Sequence, residues 1–537
     1  MPRKQGLDVC QYGLFATPLE EMIAVDAEVR VIKAFVDQLN LSDLGFVQVK
    51  SQGRSRYSSD VLLKIYLYGY LNGIRSSRKL EKACQINIEL MWLPGRLTPA
   101  YHTIADFRKD HPGPLKQAFR QYTLLLKEWE LLSLETFAID GTKIRGQNAM
   151  KRNFNKKKIQ RHLDRIDAQI ETAIIEWEAA DETSQQARRP EVDKLLKRLD
   201  ERRTAYEHLD QALEKSGDTQ ISLTDADARA LPLHRGIVEV GYNDQQVVDD
   251  KHNLIVDHKV TNENDINALG DLAVNSCNYL GLYKEDEVTV LADKGYHNGG
   301  ELQYCQENNI STLVAERKPY NNNKAVGFRK EDFRYDANQD VYICPAGQNL
   351  TTNGSWYGKP SGSNNGKKSY RFQRYTTTNS ICQACALRDK CLSRSAKQQR
   401  YARSIERSEY AVALEANKAA LAKRPELYKR RQAIVEHPYG TIKRSWGYTY
   451  TLLKGLKKVG GEWSLIATCY NLRRSMSIIG IPELLRRLEA VKVLQNGLEL
   501  LILVLSGWCV THVGTSNPQA PWRLMSVRLK SVNLVVV

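Results

Sequence analysis

The chain has 537 residues, more than the roughly 250 to 300 that one hydrophobic core organises, so three or more modules are expected. Its 78 Lys and Arg against 62 Asp and Glu leave a net charge of +16, which favours a polyanionic partner: nucleic acid first, an anionic membrane second, with an ordinary basic soluble protein as the plain alternative. The opening MPRKQGLDVCQYGLF has no apolar run or small-residue cleavage site, which excludes a secretory signal, and ten cysteines are too sparse for a disulfide scaffold, so a cytoplasmic, nucleoid-associated protein is expected.

From Ser58 to about Asp110, apolar residues recur at helical spacing in DVLLKIYLYGYLNGI, Gly73 supplies a stop, and Pro94-Gly95 breaks the run. Thr103 with Asp106 three residues later predicts a further helix opened by a capping box. Short helices in a basic protein suit a DNA-binding module or a plain packing domain; residues 1–132 are assigned as a helical N-terminal DNA-binding region. Phe137-Ala138-Ile139 then runs into Asp140-Gly141, predicting a short strand that ends in a carboxylate. Next, Ile159, Leu163, Ile166, Ile170, Ile174 and Trp177 step by three or four, as do Val192, Leu195, Leu199 and Tyr206 after Pro190. This predicts a helical hairpin with a coiled-coil-like seam over 155–214.

In VEVGYNDQQVVDDKHNLIVDHKV, β-branched residues flank a turn at Asp249 to Asn253 and predict two strands. Val288 to Ala292 predicts another, ending at Asp293, and Ile310 to Ala315 a last one. Residues 319–400, with the polar runs NNNKAVG and KPSGSNNGKK, read as an insertion, and helical patterning resumes at about Tyr401 and continues, with breaks, to Leu494.

Carboxylates at strand ends are held rigidly yet open to solvent, and a third acid on a helix would complete a hard-oxygen site. Three acids can hold two magnesium ions about 3.5 to 4 Å apart, stabilising the attacking and leaving oxygens of a phosphoryl displacement. Taken alone, an Asp after a strand is more often a turn or cap residue. Here, however, AIDGTKI, LADKGYHN and YKRRQAIVEHPYGTIK occur in this order, with YHTIADFRK before them, GYNDQQVVDDKHNLIVDHKVTNENDINAL between and YNLRRSMSII after. In these motifs, from about Asp26 to Leu485, the chain resembles bacterial insertion-sequence transposases of the DDE superfamily, in the eleven-eighty-two-type branch.

The resemblance implies an α/β protein with an RNase H-like mixed-sheet catalytic core, built from residues 133–318 and 401–495 and interrupted by the helical hairpin and the cysteine-bearing insertion. It implies Asp140, Asp293 and Glu436 as catalytic acids and ligands of magnesium or manganese, with Tyr428, Arg431 and Lys443 on DNA. Arg431 stands five residues before Glu436, one more than the commonest spacing. Arg444 joins the DNA contacts from a basic cluster of Lys429, Arg430, Lys443, Lys454, Lys457 and Lys458, interleaved with Tyr439, Trp446, Tyr448 and Tyr450, a mixture suited to frayed DNA ends. A spacing of seven puts Glu436 and Lys443 on one face of a continuous helix, while Pro438 predicts a kink or a second helix start. The implied reaction is a nick by water at the element's end, then attack of the freed 3′-hydroxyl on target DNA, by a homo-oligomer that is dimeric on its terminal inverted repeats. A nuclease or resolvase without joining, and an inactive DNA-binding copy, are the alternatives.

Cys382-x2-Cys385-x5-Cys391, preceded by Cys344 in ICPAG, supplies four thiolates that can close a tetrahedral structural zinc site, although the first knuckle lacks its usual second cysteine. Free or redox-active thiols and an iron–sulfur cluster are the alternatives. The stretch from Leu500 to Leu505, with scattered apolar residues to Val510, is far short of the ~20 residues that span a bilayer. Residues 496–537 depart in texture from what precedes them and carry no functional reading; foreign sequence read past the normal stop is one origin for them, and it leaves the activity of this copy open. Truncation at Asn496 is predicted to leave folding intact; aggregation of the shortened chain where the full chain stays soluble would contradict this.

Overall fold

The computed structural model describes residues 18–46, 57–147, 150–179, 182–232, 238–282, 285–316, 328–359, 369–392 and 401–493. The opening MPRKQGLDVCQYGLF, the NNNKAVG run, KPSGSNNGKK from Pro360 to Lys368, and the tail from 496 lie outside them. Six helices begin the described chain: α1 (Glu28–Asp37), α2 (Ser59–Leu71), α3 (Ser77–Ile86), α4 (Ile88–Trp92), α5 (Tyr101–Asp110) and α6 (Pro112–Glu128). Every residue of α2 from Val61 to Leu71 is buried, which makes it a core helix rather than a surface one. Even Lys64 is enclosed, its ammonium paired with Asp37 (2.6 Å) and Asp60 (3.1 Å). The helix stops at Asn72, and Gly73 follows with φ +74°. The expected capping box does not form, because α5 already starts after an extended Ala100; Thr103 lies inside its first turn, and Asp106 pairs with Lys109 (2.7 Å).

The central strand is β1 (Thr136–Arg145). Next come β2 (Asn153–Phe154), the hairpin helices α7 (Lys156–Glu178) and α8 (Glu182–Ser216), and β3 (Ile221–Ser222), which pairs with β2 at the hairpin's foot. The hairpin seam differs from the expected one. Ile159, Ile166, Ala173, Leu199 and Leu213 are buried, whereas Ile174 and Leu195 are about two-fifths exposed (39% and 42%). Over a long straight helix the 3.6-residue turn drifts against a 3.5-residue pattern, so the inward position passes to neighbouring residues.

On one side β1 pairs antiparallel with β5 (Val238–Asp249), from Phe137↔Asp249 to Arg145↔Gly241. The far edge of β5 carries β4 (Arg229–Pro232) and β6 (Ile255–Thr261). On the other side β1 pairs in parallel with β7 (Thr289–Ala292), and β7 with β8 (Ser311–Val314). The helix α9 (Leu269–Tyr279) precedes β7, and α10 (Gly299–Glu307) precedes β8. The result is a mixed sheet with helices, in keeping with a DDE transposase core. β1 does not end at its carboxylate as the sequence suggested; β5 keeps pairing with it as far as Arg145.

The described residues from 328 to 408 carry a second sheet of β9 (Arg334–Asp336), β10 (Val341–Ile343), β11 (Asn349–Lys359), β12 (Tyr370–Thr376) and β13 (Ser404–Ser408). Two short helices, α11 (Asn379–Gln383) and α12 (Arg388–Cys391), lie between β12 and β13. A strand, not a helix, therefore follows Tyr401: Ile405 and Arg407 turn inward with a period of two. Helices resume at α13 (Ala411–Lys423), α14 (Pro425–Tyr439) and α15 (Leu456–Ile479), and residues 481–493 are also helical. No helix among the described residues is long and apolar enough to cross a membrane.

The sheet's two faces are covered by different helices. Phe137, Ile139, Val247, Val290 and Val314 enter a large core shared with α2, α6, α9 and α15. Ala138, Val248, Leu291 and Leu313 face Ile434 and Val435 of α14. At the heart of the large core, fully buried Glu462 of α15 accepts from Arg75 (2.7 Å) and Tyr70 (3.0 Å), with Arg108 at 3.9 Å, and from the amides of Leu452 (2.9 Å) and Leu453 (3.2 Å). Burial alone would raise its pKa, but the two guanidinium groups hold it below the ordinary carboxylate range. Glu462→Ala strands two buried guanidinium charges and is predicted to cost about 3 to 5 kcal/mol in urea unfolding; a loss under about 1 kcal/mol would mean that the pair is solvated.

Candidate active site

Ile139 is the last residue of β1 paired to β7, opposite Ala292; one step on, Asp140 and Asp293 stand side by side where the two parallel strands separate. Because Ala138 faces α14, Asp140 does too. The Gly141 amide donates to its carboxylate (2.8 Å), and the Arg431 guanidinium stands 3.4 Å away. Burial pushes the Asp140 carboxyl up to about 6; Arg431 opposes this, while Asp293 and Asp265 push it higher. Asp293 begins a short 3-10 turn, Lys294–Tyr296, and accepts from the Gly295 amide (2.5 Å).

Above this pair lies α14. Its Tyr439 hydroxyl donates to the carbonyls of Asp140 (2.6 Å) and Asp244 (3.3 Å), which fixes the helix on the two strands. Arg431 sits two turns earlier and reaches Asp140; Tyr428 packs half-buried against the sheet with Ile434 and Val435. Glu436 is exposed, and its carboxylate accepts from Gln432 of the previous turn (2.7 Å). The helix continues past Pro438 to Tyr439, so no second helix starts there, and then passes into a π turn over Gly440–Ser445. That turn breaks the continuous helical face expected for Glu436 and Lys443. Lys443 instead reaches back to β1, donating to Thr142 Oγ1 (2.9 Å) and the Lys143 carbonyl (3.0 Å), and burial lowers its pKa. Arg444 is exposed.

The interleaved aromatics serve mainly as packing. Tyr448 is buried with its hydroxyl on the Tyr70 carbonyl (2.7 Å), and Trp446 is half-buried, while Tyr450 is exposed between Arg75 and Arg145. Of the basic cluster, Lys429 pairs with Glu426 (2.6 Å) and Arg430 with Asp250 (3.1 Å).

Sequence reasoning missed a carboxylate. Asp265, in the turn after β6, lies under the strand ends and accepts from Asn243 (2.7 Å), Gln245 (2.7 Å) and Lys143 (3.1 Å to each oxygen). Burial would raise its pKa, but Lys143 and the two amides hold it low, so it keeps its charge. Tyr296, the last residue of the Asp293 turn, donates to the side-chain Oε1 of Gln245 and closes the network. The available signal was the run Asn243 to Gln246, four polar residues in mid-strand, all fully buried, which only paired side chains can sustain. Gly141 is part of the same design: a Cβ there would lie 2.6 Å from both Asp265 Oδ1 and Gln245 Nε2.

The donor set suits magnesium, which takes one or two carboxylates and keeps its remaining ligands as water or substrate phosphate. Asp140 and Asp293 are two adjacent carboxylates of the kind such an ion takes, so the residues present fit it. Among the described residues, no group of three His, Cys, Asp or Glu side chains encloses an ion position, so Glu436 is not gathered to the pair. The four cysteines of the insertion, Cys344, Cys382, Cys385 and Cys391, line one small cavity away from these acids.

A family model described as a transposase domain (DUF772) matches residues 17–110, within the helical N-terminal region. A second, described as a transposase DDE domain, matches residues 343–476, from β10 through the cysteines and Glu436 to α15; Asp140 and Asp293 precede it. No curated protein matches the chain significantly. The fold and these matches define a DNA transposase, in general terms a DNA-binding, phosphodiester-cleaving enzyme of a family that uses a divalent metal such as magnesium. Two transposase matches in one chain support an insertion-sequence transposase of the DDE type.

Gly141→Ala is predicted to displace Asp265 and Gln245 and to slow DNA end cleavage about 100-fold with little change in thermal stability. An unchanged single-turnover rate would separate this network from the acids above it.

Proposed function

We propose that this transposase cleaves the ends of its insertion sequence and joins them to target DNA at a site centred on Asp140 and Asp293, with Glu436 as the third acid. The observation that carries the reading is the juxtaposition of Asp140 and Asp293 at the parting of β1 and β7, beneath the helix that carries Arg431 and Glu436. Asp140 and Asp293 would hold magnesium or manganese, and Glu436 would complete the set. A bound divalent ion supplies an activated oxygen nucleophile and charge neutralisation at the scissile phosphate.

The chain's own residues do the positioning. The Gly141 amide and Arg431 orient Asp140, and the Tyr439 hydroxyl locks the strand backbone under it. Lys443 braces the far end of β1 at Thr142, and exposed Arg444 is left to meet a phosphate. In the first step a water oxygen displaces the DNA 3′-oxygen at phosphorus, leaving a 3′-hydroxyl and a 5′-phosphate. In the second, that 3′-hydroxyl displaces a 3′-oxygen of target DNA, exchanging one phosphodiester for another. No covalent protein intermediate or external energy source is needed, and electrostatic preorganisation carries the rate. The cysteine-bearing insertion supports assignment to the eleven-eighty-two-type branch. Two strands and two ends call for a dimer on DNA.

The test incubates the full chain with labelled DNA carrying the native flanking ends, with magnesium or with chelator, beside Asp293→Asn. Metal-dependent cleavage and joining, both abolished by the substitution in a folded protein, is the expected result. Cutting without joining would replace the proposal with a nuclease or resolvase, and binding without cutting with an inactive copy.

A further inference from the structure

The insertion sheet has a very small core. Phe333, Tyr342, Leu350, Tyr375 and Ile405 are its buried apolar side chains, with Phe328, Tyr335, Cys344 and Cys391 packed around them. Five strands hang on this cluster, and modules with so little apolar interior are usually closed by a metal or by disulfides. All four cysteines in the insertion are free thiols.

These cysteines come from three separate places in the chain. Cys344 follows β10, Cys382 lies in α11 with Cys385 just past it, and Cys391 ends α12. All four nevertheless line one cavity of about 30 Å³. Phe328, Leu350, Ile381, Leu387 and Leu392 surround the cavity with apolar groups. The segment around Cys344 has the form of a metal knuckle. The Gly347 amide donates to the Cys344 carbonyl (2.8 Å) and the Cys344 amide to the Gln348 carbonyl (2.9 Å), closing a tight turn that Gly347 makes with φ +78°. Inside that turn the Gln348 amide donates to Cys344 Sγ (3.3 Å). Cys391, at the end of α12, lines the same cavity together with Arg403. The four cysteines surround the cavity without closing on a ligating tetrahedron.

We propose that Cys344, Cys382, Cys385 and Cys391 bind a structural zinc ion that ties the two short helices to the β10 turn. Four thiolates and no open position describe a structural site, not a catalytic one. Zinc there would fasten α11 and α12 to the sheet whose last strand, β13, leads directly into α13 and α14. Binding releases the thiol protons to solvent as the four zinc–sulfur bonds form, with no change of oxidation state.

The test is elemental analysis of the full chain purified without chelator and with zinc supplied. About one zinc per chain is expected, together with tetrahedral thiolate absorption when cobalt replaces it. Cys382→Ser with Cys385→Ser should remove the metal, whereas Cys84→Ala, a buried thiol on α3, should keep it. Strong chelation should make the insertion between residues 319 and 410 protease-sensitive while the large core stays resistant. If the double variant does not fold, the metal content of the unmodified chain decides alone. Less than half an equivalent of zinc would overturn the proposal, as would iron with sulfide in its place, or a mass lowered by disulfide formation among these four cysteines.

Discussion

At Ile139 the two sides of β1 part. The parallel ladder to β7 stops, while the antiparallel ladder to β5 continues to Arg145. One edge of the strand is thus clamped while the other opens into a crevice, and Asp140 is the first residue to look into it. A side chain in mid-strand is held far more rigidly than one on a loop, yet this one remains about 30% exposed. The other features of the site depend on that split: Asp293 is adjacent because β7 ends there, and Asp265 reaches beneath because Gly141 leaves room.

The electrostatics follow from the same geometry. Three aspartates converge on the crevice, and each is answered differently. Asp265 is neutralised by Lys143 and two amides, Asp140 only partly by a guanidinium 3.4 Å away, and Asp293 accepts a backbone amide. The carboxylate with the fullest set of partners is thus the lower one, and the upper pair is left with one backbone amide each and a single guanidinium.

How much of this the sequence disclosed varies with the range of the interaction involved. Strands ending near Asp140 and Asp293 were readable because apolar runs and a following acid are local patterns, and the long hairpin because periodicity accumulates over its length. The seam of that hairpin moved from Ile174 to Ala173 because small phase errors also accumulate. The continuation of β1 was hidden because TKIR owes its strand state to β5, about a hundred residues away. The π turn after Pro438 was hidden because a proline announces a disturbance without specifying its form. Asp265 went unnoticed because its meaning lies in Asn243, Gln245 and Lys143, which no spacing rule connects to it. The four cysteines were visible as a set, and their convergence on one cavity is what the fold adds.

The burial of Glu462 against Arg75 and Arg108 has a consequence for the order of events during synthesis. The N-terminal helices do not close on themselves: α2 is hidden on all sides only once α15 has arrived, and α15 lies about four hundred residues downstream. At 5 to 20 residues per second, a ribosome takes roughly 20 to 80 s to cover that distance. Throughout that interval the nascent chain carries an apolar helix without its cover and two guanidinium groups without their carboxylate. A chain that stops before α15 therefore lacks both the helix that covers α2 and the carboxylate that answers Arg75 and Arg108.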